Sequence, residues 1–449
     1  MMSDRNGNGQ NGNSLPDGWE WSTLNDVSAI NYRDPQLRNL PDDLPVNFVP
    51  MAAVDAQMGA IANPEVRPLK EVRKGFTPFS DGDVILAKIT PSMENGKAAI
   101  ARNLLNGRAF GSTEFHVLKP KGNVLAEFLF YFIRQVSFRQ DAKAHFAGTA
   151  GQLRVPASFL FDYPIPLPPL SEQERIVSRI EELFSDLEAG VAALERVRAG
   201  LKRYKASVLK DACEGRLVRQ NSDDELANQE VEYDEEGIGD LPQSWVWVKI
   251  DPILDDSRDG MKTGPFGSLL KKHEHREEGI PVVGIDNIRN MEFIPGSKIH
   301  ITRAKAAELE KYDLRPGDVV ISRSGTVGEV AVIPDSIGVA RMSTNIMRIS
   351  LRRDLMLPKF FTYLFNGSPA ILDQVEDLCK GSTRDFLNQR ILKSMLFPLP
   401  PLDEQRRIVT EIERRLSVVG EVESAIDAGL VRAGRLRQAV LKHAFEGRL

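Results

Sequence analysis

The chain has 449 residues, 42% of them hydrophobic, with a formal net charge of −5 and two cysteines. That length leaves room for two or three domains with ordinary cores, and no run of about 18 uninterrupted apolar residues occurs, so a transmembrane helix is not expected. Cys213 and Cys379 stand in no CxxC spacing, which argues against a cysteine-built zinc site and for a reducing compartment, the cytoplasm.

Residues 1–14, "MMSDRNGNGQNGNS", are polar and rich in Gly and Asn. They contain no apolar h-region and read as a disordered tail, not as a secretory signal. Residues 15–165 form a first head. It opens on "LPDGWEW" from Leu15. A Gly-Asp-Val turn then feeds an apolar strand, "GDVILAKIT" from Gly82. A Ser-Thr pair precedes an alternating strand, "STEFHVLKP" from Ser112, and an aromatic segment follows, "EFLFYFIRQ" from Glu127. Strand-length apolar runs divided by Gly, Pro and Asp, with helical segments among them, predict a mixed α/β globule.

Residues 166–217 begin "PLPPLSEQERIV" and read as one long helix. The prolines favour an extended entry. Ser171 stands at the expected N-cap, with Glu172 and Glu174 in the first turn where the helix dipole favours them, and Glu174 at capping-box spacing. Apolar residues recur in steps of three and four at Ile176, Ile180, Leu183, Leu187, Val191, Leu194, Val197, Leu201, Tyr204 and Val208, which is a seam for another helix. About 43 residues at 1.5 Å each make a rod of roughly 65 Å, too long to bury its stripe on itself. Residues 218–240 follow as an acidic linker, in which Gln220 to Asp240 carries nine acidic residues and no basic one. With the linker set aside the rest of the chain is net positive, which permits DNA binding through local patches without demanding it.

Residues 241–397 repeat the skeleton of the first head, with "LPQSWVW" from Leu241, "GDVVISRSG" from Gly317, "STNIMRISL" from Ser343 and "KFFTYLFNG" from Lys359. Residues 398–449 repeat the rod, opening "PLPPLDEQRRIV". The two rod segments align without gaps at an offset of 232, with roughly 23 of 52 positions identical, and both end on Glu-Gly-Arg-Leu. Such self-similarity marks an internal duplication. Asp403 stands at the expected second N-cap, followed by Glu404, and the second stripe is Ile408, Ile412, Leu416, Val419, Val422, Ile426, Leu430, Leu436 and Val440. The simplest partner for each stripe is the other copy; the alternative is two separate amphipathic helices, one per domain. Gly190, Gly200, Gly420, Gly429 and Gly434 either weaken the rods by about 1 kcal/mol apiece relative to Ala or mark close helix approach, and the sequence leaves both readings open. The frame of the heads is kept while their middles diverge, as in a tool with two different reading heads on one handle.

The sequence carries no recognisable catalytic motif. There is no GxxxxGK[ST], no Gly-rich fingerprint after a strand, no HExxH, no GxSxG and no Asn-Pro-Pro-aromatic run. His273 and His275 in "KKHEHREE" have the spacing of a weak metal site, but a solvated charged loop is the commoner origin of such a pair. What the heads offer is polar and basic loops. In the first, "KITPSMENGK" supplies Lys88, Thr90, Ser92, Asn95 and Lys97, and "GTAGQLR" supplies Thr149, Gln152 and Arg154. In the second, "GMKTGPFGSLLKK" supplies Lys262, Thr263, Ser268, Lys271 and Lys272; "SRSGTVG" supplies Ser322, Arg323, Ser324 and Thr326; "GSTRDFLNQR" supplies Ser382, Thr383, Arg384, Asn388, Gln389 and Arg390. Arg and Lys bond guanine edges, Asn and Gln bond adenine, and hydroxyls hold phosphates. Singly each is an ordinary solvated loop residue; clustered in both heads they are candidate DNA contacts.

The paired "PIPLPPLSEQERIV" and "LFPLPPLDEQRRIV", the paired "EGRL" ends, "GDVILAKITPSMENGKAA" and "GDVVISRSGTVGEVAVI" together resemble the DNA-specificity subunit of type I restriction–modification systems. The resemblance runs from about Leu15 to Leu449. It implies an α+β chain of two mixed α/β target-recognition domains joined by two long antiparallel helices that form a coiled-coil spacer, an internal pseudo-two-fold repeat. It further implies that each head reads one half of a bipartite site on double-stranded DNA, and that methyltransferase and motor-nuclease subunits dock on the chain. Catalysis, with S-adenosylmethionine and ATP, then belongs to those subunits, and this chain holds no cofactor. Three rival readings are the specificity subunit of a fused modification and cleavage system, a two-headed protein-interaction scaffold that never touches bases, and a standalone enzyme, which would require turnover without partners.

Overall fold

The computed structural model describes residues 15–149, 152–219, 238, 240–266, 269–289, 291–323, 328–379 and 387–449. The expected N-terminal tail and most of the expected acidic linker lie outside the described residues. The chain divides into two units: one runs to Leu194 and takes in Asp427–Leu449, the other is Glu195–Ile426. Each unit therefore holds one head and parts of both long helices.

In the first unit the strands are β1 (Glu20–Thr23), β2 (Ser28–Ile30), β3 (Pro45–Val49), β4 (Glu65–Pro68), β5 (Thr77–Ser80), β6 (Val84–Ala87), β7 (Ala98–Ile100), β8 (Arg108–Gly111), β9 (Phe115–Pro120) and β10 (Pro164–Leu167). They make sheets of order β2-β9-β6-β7 and β4-β3-β8-β5, with β1 paired to β10; β3 and β8 run parallel. In the second unit they are β11 (Val246–Lys249), β12 (Met261–Thr263), β13 (Ile280–Val283), β14 (Ile288–Arg289), β15 (Glu292–Phe293), β16 (His300–Ile301), β17 (Val319–Ser322), β18 (Val330–Val332), β19 (Arg341–Met342), β20 (Ile346–Ile349) and β21 (Leu396–Leu399). Their sheets are β12-β20-β17-β18, β16-β13-β19, β14-β15 and β11-β21, and the parallel pair here is β13 with β19.

The recurring sequence marks explain this shared frame. In each Gly-Asp-Val turn the glycine takes a positive φ, +85° at Gly82 and +81° at Gly317, which a residue with a Cβ rarely adopts. The aspartate closes the turn by accepting the N–H three residues back, Ser80 at 2.8 Å and Arg315 at 2.7 Å. Each tryptophan-bearing segment is a strand that pairs with a proline strand, and the register is the same: Trp21 opposite Pro166, Trp247 opposite Pro398. Proline lacks an N–H and tolerates such an edge position.

Both long helices have 44 residues, Leu170–Cys213 for the first rod and Leu402–Phe445 for the second. Each starts two residues before the place read from the sequence. The N-terminal carbonyl acceptors are Pro169 and Pro401, so Ser171 and Asp403 lie inside the first turn and are not N-caps. The reason is the glutamine two residues later. Gln173 and Gln405 are fully buried. Gln173 accepts the Leu125 N–H at 2.9 Å and donates to Asn123 O and Pro168 O; Gln405 accepts the Leu357 N–H at 2.8 Å and donates to Leu355 O and Pro400 O. Each glutamine satisfies three buried backbone groups, and that need sets the helix start.

The rods pair antiparallel in both units. In the first, Glu188 bonds Arg437 at 2.8 Å and a Cβ on Gly429 would meet Leu194 at 3.0 Å. In the second, Lys205 bonds Glu423 at 2.8 Å. Gly429 therefore marks close approach, whereas a Cβ on Gly190, Gly200, Gly420 or Gly434 would meet nothing. Val197, Tyr204, Val422 and Leu436, read as seam positions, are exposed, because two helices cover only a narrow stripe of each other. Phe184 instead reaches the core, where Arg437 stacks on its ring at 4.3 Å.

The end of each rod completes the core of the other copy's head. Leu441, Ala444 and Phe445 pack with Ile176, Ile180 and the aromatic helix Ala126–Ile133; the Phe445 ring meets Phe128 at 4.8 Å and Phe132 at 5.3 Å. Val208, Leu209, Ala212 and Cys213 pack with Ile408, Ile412 and the helix Pro358–Gly367. A Cβ on Gly367 would stand 2.5 Å from the Leu209 Cβ, so only glycine permits that contact. The Glu-Gly-Arg-Leu endings terminate the rods. Gly215 and Gly447 adopt φ of +68° and +67°, and the next N–H turns back to Asp211 O and His443 O, as in a glycine C-cap. The final leucine then tucks against the head, Leu217 in one core and Leu449 beside the other.

Candidate nucleic-acid interface

The loops singled out in the first head come together. Strand β6 runs into Lys88, whose N–H donates to Glu114 O at 2.8 Å and whose carbonyl accepts from Val155 at 2.9 Å; the Thr90 N–H donates to Leu153 O at 3.1 Å. The segments 88–97 and 148–154 are thus stitched side by side. Met93, fully buried with Ala142 and Val155, anchors the loop from beneath. Asn95, Thr149 and Gln152 are exposed, and Lys88 and Ser92 are half-buried. Three other candidates are committed within the head. Lys97 Nζ donates to Met51 O at 2.8 Å. The Thr90 hydroxyl donates to Glu94, which also pairs with Lys143 at 2.6 Å; Lys143 and Thr90 together hold the Glu94 carboxyl below its usual range. Arg154 forks onto both oxygens of Glu114, at 2.8 and 2.9 Å, and that guanidinium lowers the Glu114 carboxyl.

In the second head, Gln389 Nε2 donates to Thr263 Oγ1 at 3.1 Å, which ties the end of β12 to the helix Gln389–Ser394. Asn388 caps that helix by accepting the Ile391 N–H at 3.0 Å. Arg323 is 6% exposed, with Nε on Leu387 O at 3.3 Å and Nη1 on Thr344 O at 3.5 Å; burial pulls its guanidinium below the ordinary value. Ser322 is fully buried and its hydroxyl accepts the Glu329 N–H. Lys262 pairs with Asp259 at 2.6 Å. Lys271 and Lys272 are exposed. Ser268, Ser324, Thr326, Ser382, Thr383 and Arg384 lie outside the described residues. Among the described residues no group of three or more His, Cys, Asp and Glu is placed to hold a metal ion, His273 and His275 included.

The two heads share one corner that sequence reasoning used only as a landmark. After each parallel pair comes Ser-Thr, and the serine N–H returns to the neighbouring strand: Ser112 to Val49 O at 3.2 Å, Ser343 to Val283 O at 2.8 Å. The third residue, Glu114 or Asn345, accepts from the residue that ends the Gly-Asp-Val strand, Lys88 at 2.8 Å or Arg323 at 2.9 Å. Lys88 with Glu114 and Arg323 with Asn345 therefore occupy equivalent positions, with unlike side chains on like backbones. The repeated Ser-Thr was the signal that could have found them.

Like frames that present unlike polar surfaces, on units joined by two continuous helices, define a two-headed recognition scaffold. The chain belongs to the family of type I restriction modification DNA specificity domains, whose family model matches residues 16–196 and 266–419. It is similar to the type I restriction enzyme EcoEI specificity subunit of Escherichia coli, 26% identical over 92% of this chain and 80% of that one. It is also similar to the EcoKI specificity subunit of Escherichia coli K12, 24% identical over 97% and 90%. Its fold matches a solved chain from a study of complex assembly and conformational transition of the type I R-M system, with a TM-score of 0.76, 23% identity and coverage of 97% and 100%. It also matches the HsdS subunit from Thermoanaerobacter tengcongensis, with a TM-score of 0.58, 23% identity and coverage of 97% and 98%. Specificity subunits of this family are non-catalytic.

Proposed function

We propose that this chain confers sequence specificity on a type I restriction–modification complex by reading a bipartite site on double-stranded DNA, one half per head. The observation that carries this is the equivalent corner of the two heads, where backbone bonds are kept and side chains differ: such a pair presents two different base-reading surfaces from one architecture. Methyltransferase subunits dock on the paired rods and a motor-nuclease subunit joins them. On this reading S-adenosylmethionine and ATP are held by those partners. The rods support docking because Val197, Tyr204, Val418, Val422, Val431 and Leu436 lie exposed along them. Among the described residues no helix is long and apolar enough to cross a membrane, and the complex works in the cytoplasm, where its DNA is. The test is to mix the purified chain with its methyltransferase partner and census adenine methylation over a randomised DNA library. Methylation confined to one bipartite sequence is expected; a complex that methylates without sequence preference overturns the proposal, as does one that methylates nothing.

A further inference from the structure

The corner of the second head ends in a side chain with a fixed backbone and nothing to bond. Asn345 is exposed, and its carboxamide makes no hydrogen bond among the described residues. Its backbone, in contrast, is held on every side. The Asn345 carbonyl accepts from Arg323 at 2.9 Å, the Ile346 carbonyl from Gly264 at 3.0 Å, and the Thr344 carbonyl from the Arg323 guanidinium at 3.5 Å. Two glycines press against the same corner. A Cβ on Gly264 would overlap the Ser343 carbonyl oxygen at 1.8 Å, and one on Gly284 would stand 3.3 Å from the Ser343 hydroxyl. The chain thus spends two glycines and a buried arginine on positioning Ser343, Thr344 and Asn345.

These residues line a cleft of about 650 Å³, as do Lys272, His275 and Lys298. Lys298 is exposed and pairs with Asp286, also in the cleft, at 2.9 Å. The cleft wall is largely apolar, but Lys272, Lys298 and the polar corner Ser343–Asn345 all line it, and such a lining fits a nucleic-acid strand, with cations near phosphates and neutral polar groups facing the bases. The equivalent position in the first head is Glu114, whose carboxylate is consumed by the Arg154 fork. The side chain therefore differs between the heads where the frame does not.

We infer that Asn345 is a specificity-determining residue of the second head and reads the edge of an adenine. A carboxamide presents one donor and one acceptor side by side, which matches adenine N7 and N6, and no other single base offers both in the major groove. The fixed backbone sets where the amide stands, and the bonds to adenine then set which way it turns. By the same comparison, Arg154 and Glu114 in the first head form a positioning pair that holds the loops 88–97 and 148–154 beside the corner.

The inference rests on the DNA-reading function proposed above, and the experiment separates the two. The chain, as parent, N345A or N345D, is assembled with its methyltransferase partner and offered a library randomised in both half-sites. The N345A complex is expected to lose discrimination at one base position of one half-site, by roughly 5- to 150-fold, and to read the other half-site as the parent does. N345D keeps the shape but not the donor, and at that position must reject adenine more strongly than N345A does. Melting temperatures equal to the parent's are expected, since the side chain is exposed. Identical half-sites for parent and variants overturn the assignment of Asn345, and so does methylation slowed equally at every sequence. A parent complex with no sequence preference sinks the DNA-reading function instead.

Discussion

The two Gly-Asp-Val aspartates make the same turn in different company. Asp318 is 4% exposed and receives Arg258 at 3.3 Å, the Ser350 hydroxyl at 2.7 Å and the Arg315 N–H. Asp83 is 1% exposed and receives only the Tyr32 hydroxyl at 3.1 Å and the Ser80 N–H. Burial outweighs its two hydrogen bonds and nearby Lys119 and pushes the Asp83 carboxyl above its usual range, so its ionised form detracts from stability near neutrality. Asp318→Asn takes a charged acceptor from the Ser350 hydroxyl and from Arg258, which keeps Asp313 at 2.6 Å, and loss of bonds to a charged group costs about 1.5 to 3 kcal/mol. Asp318→Asn should therefore lower the melting temperature clearly at pH 7, while Asp83→Asn, whose oxygen still accepts both bonds, should stay within about 1 kcal/mol of the parent; equal losses in calorimetry would contradict this. His116 acts in the opposite sense. Its Nε2 faces Val155 O at 2.8 Å and its Nδ1 faces the Asn31 amide at 3.0 Å, an arrangement that uses the neutral ring. Burial, and then nearby Lys88, lower its affinity for a proton. The unfolded chain takes up that proton first as pH falls below about 6.5, so the stability His116 contributes is present above that pH and lost beneath it. Melting curves between pH 7.5 and 5.5 should show a fall that His116→Gln flattens.

The rods, as elements, were the most legible part of the sequence, because a stripe in steps of three and four over some 40 residues leaves no other secondary structure. The paired Gly-Asp-Val and Ser-Thr strands were legible for a related reason: duplication displayed each twice. What stayed hidden has physical causes. The helix starts are governed by Gln173 and Gln405 bonding to segments about 50 residues away, which no local capping rule sees. The capture of each rod end by the other copy's head was invisible because Leu209 or Leu441 suits a helix seam and a head core equally. Two-residue strands such as β14 and β19 are too short to show a period. Of the candidate contacts, Lys97, Arg154, Ser322 and Arg323 look identical in sequence to free surface residues, and only the fold shows them tied inward. The exposed apolar residues of the rods yield a prediction at this scale. Val431 is 56% exposed and Leu436 46%, so Val431→Lys with Leu436→Lys should change stability by less than about 0.5 kcal/mol each. If this face receives a methyltransferase subunit, the same pair must reduce co-elution with that subunit at least tenfold; full co-elution would place the docking face elsewhere on the rods.

For the whole molecule, charge decides how well the chain holds DNA alone. The net charge is −5, and half of the described candidate cations are already committed. Lys97 bonds a carbonyl, Arg154 and Lys262 pair with carboxylates, and Arg323 is buried. Lys88, Lys271, Lys272 and the exposed Arg390 are left to meet phosphates. Each phosphate contact contributes a salt slope of about −0.9, so the isolated chain should bind its site with a log–log slope of about −3.6 and an affinity too weak to survive physiological salt. If methyltransferase subunits join the chain on the duplex, as proposed, they add their cations, so both slope and affinity must rise together. Titrating labelled DNA against the chain with and without its methyltransferase, at several salt concentrations, measures both quantities at once. Nanomolar binding by the chain alone, with a slope unchanged by the partner, would mean that the heads by themselves supply the grip, and that the partners contribute chemistry but no hold on the DNA.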